Sequence, residues 1–200
     1  MKSRKKYSLL INTILIITFN NAIGHASTYI TDPPHSSIGF NVKYLMITDV
    51  FGQFKNYVAK VEVDETTKEL IRVESTIEVG SLTTENSKRD VHLKSPDFFN
   101  VSKYPSITFK SKNVKKLGQS KYEMVGDLTI KGITKTITLK GEYTGFIDAG
   151  KMGGKRIGYT AEGIINRKDF GLNWNRNLDQ GGVVVGNKVV IELKIQAVAS

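Results

Sequence analysis

The stretch from Ile38 to Tyr44, IGFNVKY, alternates strictly between large apolar residues and polar or small ones. On an extended chain, successive side chains point to opposite faces, so this alternation puts one set in a core and the other in water. The segment is therefore predicted to be a strand of a sheet with one wet face. The predicted inward set is Ile38, Phe40, Val42 and Tyr44.

The same period-two pattern recurs in seven further segments. They cover residues 51–63, 71–79, 107–111, 122–130, 137–143, 157–165 and 189–197. In the first of these, Gly52 and a change of phase after Phe54 predict a β-bulge. Eight one-sided strands joined by short turns indicate an antiparallel sandwich or a closed barrel rather than a parallel sheet.

A barrel of about eight strands has an interior that is either filled by side chains or holds one small ligand. Gly126, Gly141 and Gly163 fall on the predicted inward face. Because each removes a side chain from that face, they favour a ligand cavity or sharp strand bends.

Residues 81–104 do not alternate. Thr83 or Thr84 can cap a helix that reaches Lys94, because the intervening segment contains neither Gly nor Pro. The Ser-Pro step that follows stops this helix and permits a further helical turn over residues 95–99. A short helical insert is therefore predicted within an otherwise all-β chain.

The N-terminal segment has the layout of a secretory signal peptide. Four basic residues precede an uncharged apolar run over residues 9–19, which is shorter than the ~20 residues that a membrane-spanning helix needs. Gly24-His25-Ala26 supplies a small-x-small cleavage pattern. Residues 1–26 are therefore predicted to be a signal peptide, residues 27–200 to be one domain, and the mature protein to be periplasmic.

Composition excludes several classes of function. The chain contains no Cys, which rules out disulfides, thiol nucleophiles and Cys-based metal sites. Only His35 and His92 remain after residues 1–26 are removed, so a His-rich metal site is excluded, although a mixed carboxylate site stays open. The formal charge of +10 falls to +6 on that removal, because the segment holds four basic and no acidic residues. No basic cluster is interleaved with aromatics, so nucleic acid is not a predicted partner, while transient contact with anionic membrane surfaces is compatible with the charge.

Few residues have types suited to catalysis. His35 is followed by Ser36, and Arg89-Asp90-x-His92 lies in the predicted insert, but neither has the spacing of a known catalytic motif. Adjacent residues on a helix diverge by ~100°, so Arg89 and Asp90 are expected to make separate contacts, Asp90 as an acceptor for backbone donors or Lys. The protein is predicted not to be an enzyme, an esterase built on His35 and Ser36 being the weaker alternative.

Several short motifs follow one another along the chain. They are Asp32-x-x-His35-Ser36, Gly52-x-Phe54, Ser81-Leu82-Thr83-Thr84, Arg89-Asp90-x-His92-Leu93-x-Ser95, Tyr104-Pro105-x-Ile107-x-Phe109, Gly126-x-Leu128-Thr129-Ile130-Lys131-Gly132 and Arg167-x-x-Phe170-Gly171. In this order and spacing they resemble the YceI-like family of bacterial periplasmic lipid-binding proteins. Residues 173–182, rich in Asn and Gly, depart from the acidic or aromatic run that family members often have before the last strand.

The resemblance implies an eight-stranded antiparallel lipocalin-like barrel with a short helical insert, which binds long amphiphiles such as polyisoprenoids. The predicted inward residues are consistent with this, because they would form an apolar tube without charges. Burying a lipid chain there would gain roughly 25 cal/mol per Å² of apolar surface. A filled core is the alternative. The tube residues are Phe40, Val42, Phe54, Ile77, Phe99, Phe109, Leu128, Ile130 and Ile191.

His35, Arg89, His92 and Arg167 are candidates for contacts with a lipid head group at the rim. Alternatively, they only tie the insert to the barrel. The predicted function is binding and transport or storage of a polyprenyl carrier or quinone, held non-covalently and without metal or cofactor. The alternative is a stress-associated binder of exogenous fatty amides or lipophilic antibiotics. Scattered outward apolar residues leave monomer and homodimer both open.

Overall fold

The computed structural model describes residues 26–179 and 181–200. The predicted signal peptide lies outside the described residues except for Ala26, where the first strand begins, and it stays a prediction. The described elements, in chain order, are β1 (Ala26–Thr31), β2 (Ser37–Tyr44), β3 (Thr48–Phe54), β4 (Tyr57–Asp64), β5 (Leu70–Glu78), β6 (Leu82–Thr83), α1 (Ser87–Lys94), β7 (Ser106–Lys116), β8 (Lys121–Ile130), β9 (Ile133–Asp148), β10 (Lys155–Asn166) and β11 (Val185–Ala199).

Eight of the strands form a closed antiparallel ring in the order β1, β4, β5, β7, β8, β9, β10, β11. The ring closes because the end of β11 pairs with β1, from Tyr29 opposite Ala199 to Thr31 opposite Ala197. The predicted fold class is confirmed: an all-β, eight-stranded lipocalin-like barrel with a short helical insert. Within the described part of the chain, no helix is long and apolar enough to cross a membrane.

The first half of β11 pairs with β2, which pairs in turn with β3. β1 and β2 are two halves of one bent strand, interrupted by a 3-10 turn at Pro33–His35, and β3 and β4 are the two halves of its partner. The bulge predicted near Gly52 is wrong, because the β2–β3 pairing runs without a register shift. The chain instead turns a corner at Lys55 and Asn56, whose backbone N–H groups both donate to the Ser81 hydroxyl.

The helical insert is shorter than predicted. Asn86, rather than Thr83 or Thr84, caps α1 by accepting a hydrogen bond from the Arg89 backbone N–H at 3.0 Å. The threonines do not cap because Thr83 pairs with β3 and both hydroxyls donate to Asp90. Residues 95–99 form hydrogen-bonded turns instead of a second helical segment. β1, which the alternation did not reveal, completes the barrel.

The two ends of the barrel differ. We call one the turn end, because it carries the turns at residues 65–69, 117–120 and 149–154. The start of β1 and the end of β11 lie at the same end. The other, the insert end, carries residues 79–105, the β8–β9 turn and the loop over residues 167–184. The Lys131 ammonium donates to the carbonyls of Pro96 and Gly171, so the β8–β9 turn ties the insert to that loop.

The β2–β3 hairpin ends in an unusual turn at the insert end. Leu45 and Met46 have φ values of 50° and 63°, and the Ile47 N–H donates to the Tyr44 carbonyl. Positive φ at both central positions is the pattern of a type I′ turn, which normally uses Asn and Gly. For side chains with a Cβ, each such position costs about 1–2 kcal/mol, so the sequence here does not favour the turn.

The inward glycines are covered by their neighbours. A Cβ on Gly126 would lie 2.4 Å from the Phe109 ring, and one on Gly163 would lie 2.4 Å from Leu139. At Gly141 it would lie 2.0 Å from the Thr160 carbonyl oxygen and 2.6 Å from the Tyr122 hydroxyl. These glycines therefore let large side chains lie flat against the barrel wall.

Gly141→Ala is expected to lower the free energy of unfolding by about 1–3 kcal/mol, because the backbone oxygen of Thr160 cannot move without disturbing β10. The matched control is Gly118→Ala, since no atom lies within 4 Å of its would-be Cβ. Urea unfolding of both variants tests this, and equal stabilities would contradict the packing argument.

Candidate functional site

The barrel encloses an apolar cavity, here called the inner cavity, of about 100 Å³. Its walls come from β2, β4, β5 and β7–β11, and its lining carries no charge. Four of its lining residues bear hydroxyl groups: Ser75, Tyr122, Tyr159 and Thr160. This volume is smaller than the roughly 150 Å³ apolar cavity that takes up benzene. The inner cavity is therefore too small for a long ligand, which requires its lining to move apart.

Four of the predicted tube residues line this inner cavity: Ile77, Phe109, Leu128 and Ile191. Ile130 is buried but lines neither this cavity nor the one described next. Sequence reasoning did not include several lining residues that lie on the same alternating faces, and extending the pattern along each strand would have found them. They include Val61, Met124, Leu139, Tyr159 and Leu193.

A second cavity of about 460 Å³, here called the mouth cavity, lies at the insert end between α1, β2, β3 and the loop before β11. Its lining combines apolar and basic side chains. None of the lining residues is acidic. They are Phe40, Val42, Lys43, Tyr44, Val50, Asn86, Lys88, Arg89, His92, Leu93, Phe98, Trp174, Val184 and Val185.

Three aromatic rings contact one another close to the point where β2 passes from one cavity to the other. Along β2, Ile38 lines the inner cavity and Phe40, two residues further, lines the mouth cavity. The Phe40 and Phe54 ring centroids lie 5.9 Å apart, and Phe54 meets Phe99 edge to face at 6.2 Å. We call Phe40, Phe54 and Phe99 the aromatic junction.

Arg89 is held by one side of its guanidinium. Its Nε donates to the Thr84 hydroxyl at 2.7 Å and one Nη2 hydrogen to the Thr84 carbonyl at 2.8 Å. A guanidinium has five N–H donors, so three have no protein acceptor among the described residues. The predicted role of Asp90 is confirmed, since it accepts from the Thr84 backbone N–H at 2.8 Å. Partial burial works against ionisation of Asp90, but hydrogen bonds from Thr84 and Thr83 prevail and lower its pKa.

His92 stands beside Arg89 in the mouth cavity. Its Nε2 lies 2.9 Å from an Asp97 carboxylate oxygen, and its ring meets Phe98 and Trp174 edge to face at 5.0 and 4.9 Å. The imidazole is thus oriented by an acid on one side and two aromatic rings on the other.

Arg167 is only 3 % exposed and is fully occupied by protein. Nε donates to the Gly186 carbonyl, Nη1 to those of Leu172 and Trp174, and Nη2 to the Val185 carbonyl and the Asn187 side chain. All five N–H donors therefore have acceptors in or next to the loop that precedes β11. Burial lowers the pKa of Arg167. The side chain clamps this loop and has no donor left for a ligand.

His35 lies on the outer face of the barrel, with its side chain 62 % exposed. Its Nδ1 is 2.9 Å from Asp32 Oδ2, which also accepts from Arg156 Nη1 at 2.7 Å and Gln196 Nε2 at 3.0 Å. The Ser36 hydroxyl is engaged with the Gln196 backbone rather than with His35. The mouth cavity thus brings together Arg89 and His92 but neither His35 nor Arg167, whose contacts with a head group stay predictions.

In residues 26–179 and 181–200, no group of three or more His, Asp or Glu side chains could hold a metal ion. The side chains that come together most clearly are the apolar lining of the inner cavity and the basic side chains of the mouth cavity.

A closed eight-stranded antiparallel barrel around an apolar interior places the protein among the lipocalin-like folds. Residues 29–197 match the YceI-like domain, and the chain belongs to this family. A UPF0312 protein of Staphylococcus aureus strain MSSA476 is 40% identical over 162 residues, which cover 80% of this chain and 91% of that relative.

Solved structures show the same fold. A Campylobacter jejuni YceI protein is 34% identical, with a TM-score of 0.68 over 79% of this chain and 89% of its own. Burkholderia cenocepacia BcnA is 23% identical, with a TM-score of 0.71 over 83% and 98%. A polyisoprenoid binding domain from Saccharophagus degradans, implicated in plant cell wall breakdown, is 13% identical, with a TM-score of 0.62 over 88% and 100%.

Arg167→Lys is expected to lower the free energy of unfolding by about 2–3 kcal/mol, because an ammonium cannot reach the same set of carbonyl acceptors. Arg176→Lys, at an exposed position of the same loop, is the matched control and should change it little. Denaturant unfolding measures both, and a neutral Arg167→Lys would show that the clamp does not stabilise the loop.

Asp32→Asn is expected to lower the free energy of unfolding by about 1–2 kcal/mol at pH 7, since the carboxylate gathers three donors. Partial burial opposes ionisation, but the hydrogen bonds from His35, Arg156 and Gln196 lower the pKa of Asp32 below its ordinary 3.8. This stabilisation is therefore fully present above pH 3.8 and is lost as the pH falls through the lowered pKa. The gap between wild type and variant should shrink below about pH 4, and a gap independent of pH from 7 to 2 would contradict this.

Proposed function

We propose that this protein binds an isoprenoid-like lipid non-covalently, with its chain in the barrel and an anionic head group in the mouth cavity. We further propose that it carries or stores a polyprenyl carrier lipid in the periplasm after cleavage of residues 1–26. The observation that carries the proposal is the juxtaposition of two cavities of opposite character at the aromatic junction.

The inner cavity suits a hydrocarbon chain. Its lining offers no charge and only four hydroxyl groups, of which those of Tyr122 and Tyr159 already donate to backbone carbonyls. A polar ligand would therefore lose most of its hydrogen bonds to water without replacement. Hydrocarbon gains roughly 25 cal/mol for each Å² removed from water. The cavity must widen to admit such a chain, and its flexible or branched side chains, including Met124 and Leu139, can change rotamer to allow this.

The mouth cavity suits an anionic head group. Lys43, Lys88, Arg89 and His92 line it, and no acidic residue does. Arg89 keeps three donors available, and Arg presents a planar fork that matches phosphate oxygens. Both features favour a polyprenyl phosphate over the neutral quinones, fatty amides and lipophilic drugs that the sequence also allows.

Family membership supports a binding role over catalysis. The Saccharophagus degradans neighbour of the same fold is described as a polyisoprenoid binding domain, and this chain belongs to the YceI-like family. The histidine–serine pair that an esterase would need is disengaged, because His35 bonds to Asp32 and Ser36 to the Gln196 backbone. A lipid carrier is therefore the function that the arrangement supports best.

Native mass spectrometry with organic extraction, applied to protein from the periplasm of its own host, tests the natural ligand. We expect one isoprenoid molecule per chain. We also expect the mass of a polypeptide whose first residue is Ser27. A protein that is empty and also fails to take up added prenyl lipids would contradict the proposal.

Trp174 allows a direct binding assay, because it is the single tryptophan of the chain and lines the mouth cavity. Geranylgeranyl phosphate should change its fluorescence on binding. Ala59→Phe, which places a ring in the inner cavity, should weaken binding roughly tenfold or more, since the lipid chain loses its space. Val58→Phe is the control, because Val58 precedes Ala59 on the same strand but lies on the outer face, 57 % exposed.

Unfolding curves establish that each variant is folded. If Ala59→Phe does not fold, Ala161→Leu on β10 replaces it, because this substitution fills the same cavity with a smaller side chain. Equal affinities of Ala59→Phe, Ala161→Leu and wild type would place the lipid chain elsewhere.

Arg89→Gln tests the head-group site. It should weaken binding of geranylgeranyl phosphate roughly tenfold, because the loss of one charge-assisted hydrogen bond lowers affinity by about this factor. Binding of geranylgeraniol, which has no phosphate, should change little. The ratio of the two affinities is decisive, because a purely structural role of Arg89 would lower both equally. Arg176→Gln, outside the cavity lining, serves as the charge-matched control.

A further inference from the structure

The β2–β3 hairpin presents apolar side chains to water at the insert end. Ile47 is 82 % exposed and Met46 is 56 % exposed, and Tyr44 is partly exposed beside them. Ile47 is the most exposed large hydrophobic residue in the described part of the chain. We call Tyr44, Met46 and Ile47 the docking tip.

The docking tip is held firmly in place. The Leu45 N–H donates to the Val184 carbonyl at 2.8 Å, and the Met46 side chain lies against Gly182 in the loop that precedes β11. Leu45 and Met46 keep positive φ values that Asn and Gly adopt with less strain. The exposure of Met46 and Ile47, together with the backbone strain at Leu45 and Met46, points to a function of the side chains themselves.

The mouth cavity next to the docking tip carries basic side chains. Tyr44 also lines the mouth cavity, where Lys43, Lys88, Arg89 and His92 are found. Lys43 is paired with Asp49 at 3.0 Å, and Asp179 lies in the adjoining loop. The cations of α1 that line the cavity, Lys88 and Arg89, have no acidic partner among the described residues.

We propose that the docking tip inserts into the interface of an anionic lipid bilayer and brings the mouth cavity against the head-group layer. Apolar and aromatic side chains next to cations are the composition that binds anionic membrane surfaces. A stable protein partner would need about 800 Å² on each side, far more than a three-residue turn offers, whereas a bilayer accepts single side chains. A lipid could then pass between bilayer and barrel without crossing water; this last step rests on the proposed function.

Flotation with lipid vesicles tests the docking. Wild-type protein should bind vesicles containing about 30 mol% phosphatidylglycerol roughly tenfold more tightly than pure phosphatidylcholine vesicles, and high salt should reduce the difference. The double variant Met46→Gly, Ile47→Ser should lose roughly tenfold or more of this affinity. Its fold is not at risk, because glycine relieves the positive φ at position 46.

Ile147→Ser is the matched control, since Ile147 is 60 % exposed but lies in β9 near the turn end. It should bind anionic vesicles as wild type does. Equal vesicle binding by the double variant and wild type, or indifference of wild type to anionic vesicles, would overturn the proposal and leave the tip as a surface for a protein.

The two proposals fail separately. In solution, the double variant should bind geranylgeranyl phosphate with wild-type affinity, because both of its substitutions lie outside the linings of the two cavities. Normal ligand binding with lost vesicle binding supports docking, whereas vesicle binding by a protein that takes up no prenyl phosphate would overturn the carrier function and leave docking intact.

Discussion

The pairing of β1 with β11 is the contact on which the rest of the structure depends, because it turns an open sheet into a barrel. Only three residue pairs make it, and it lies where the long β1–β2 strand bends. Asp32 strengthens this seam: its backbone N–H donates to the Gln196 carbonyl, and its carboxylate gathers His35, Arg156 and Gln196. The Asp32-x-x-His35-Ser36 motif thus joins β1 and β2 to β10 and β11 on the outside of the barrel.

Closure determines what the interior can hold. Once the ring is complete, the inward face of every strand shares one volume, and the glycines at 126, 141 and 163 let neighbouring side chains fill most of it. The inner cavity is consequently small and apolar, while the mouth cavity is larger and basic. The aromatic junction lies close to both, because Phe40 lines the mouth cavity and Phe54 pairs with Ile38, which lines the inner cavity.

The two arginines of the family motifs, Arg89 and Arg167, have different roles because folding gives them different hydrogen-bond acceptors. Arg167 is surrounded by carbonyl oxygens and has no donor left, so it stabilises the loop that forms one wall of the mouth cavity. Arg89 is fixed by Thr84 along one edge and keeps the other edge available. Thr84 also bonds to Asp90, so the insert is folded by the same contacts that position Arg89.

The sequence by itself determined the all-β class, the insert and most of the inward faces, because alternation with period two is a local property of an extended chain. Tyr44, which the alternation places inward, is instead 37 % exposed at the end of β2. It could not show β1, the corner at Lys55 and Asn56, or the cap at Asn86, since each depends on partners distant in sequence such as Ser81 and Asp90. Likewise, the sequence placed His35, Arg89, His92 and Arg167 in one group as polar residues of conspicuous motifs. Only the tertiary structure separated them, because which hydrogen-bond donors remain available depends on the acceptors that folding brings to each side chain.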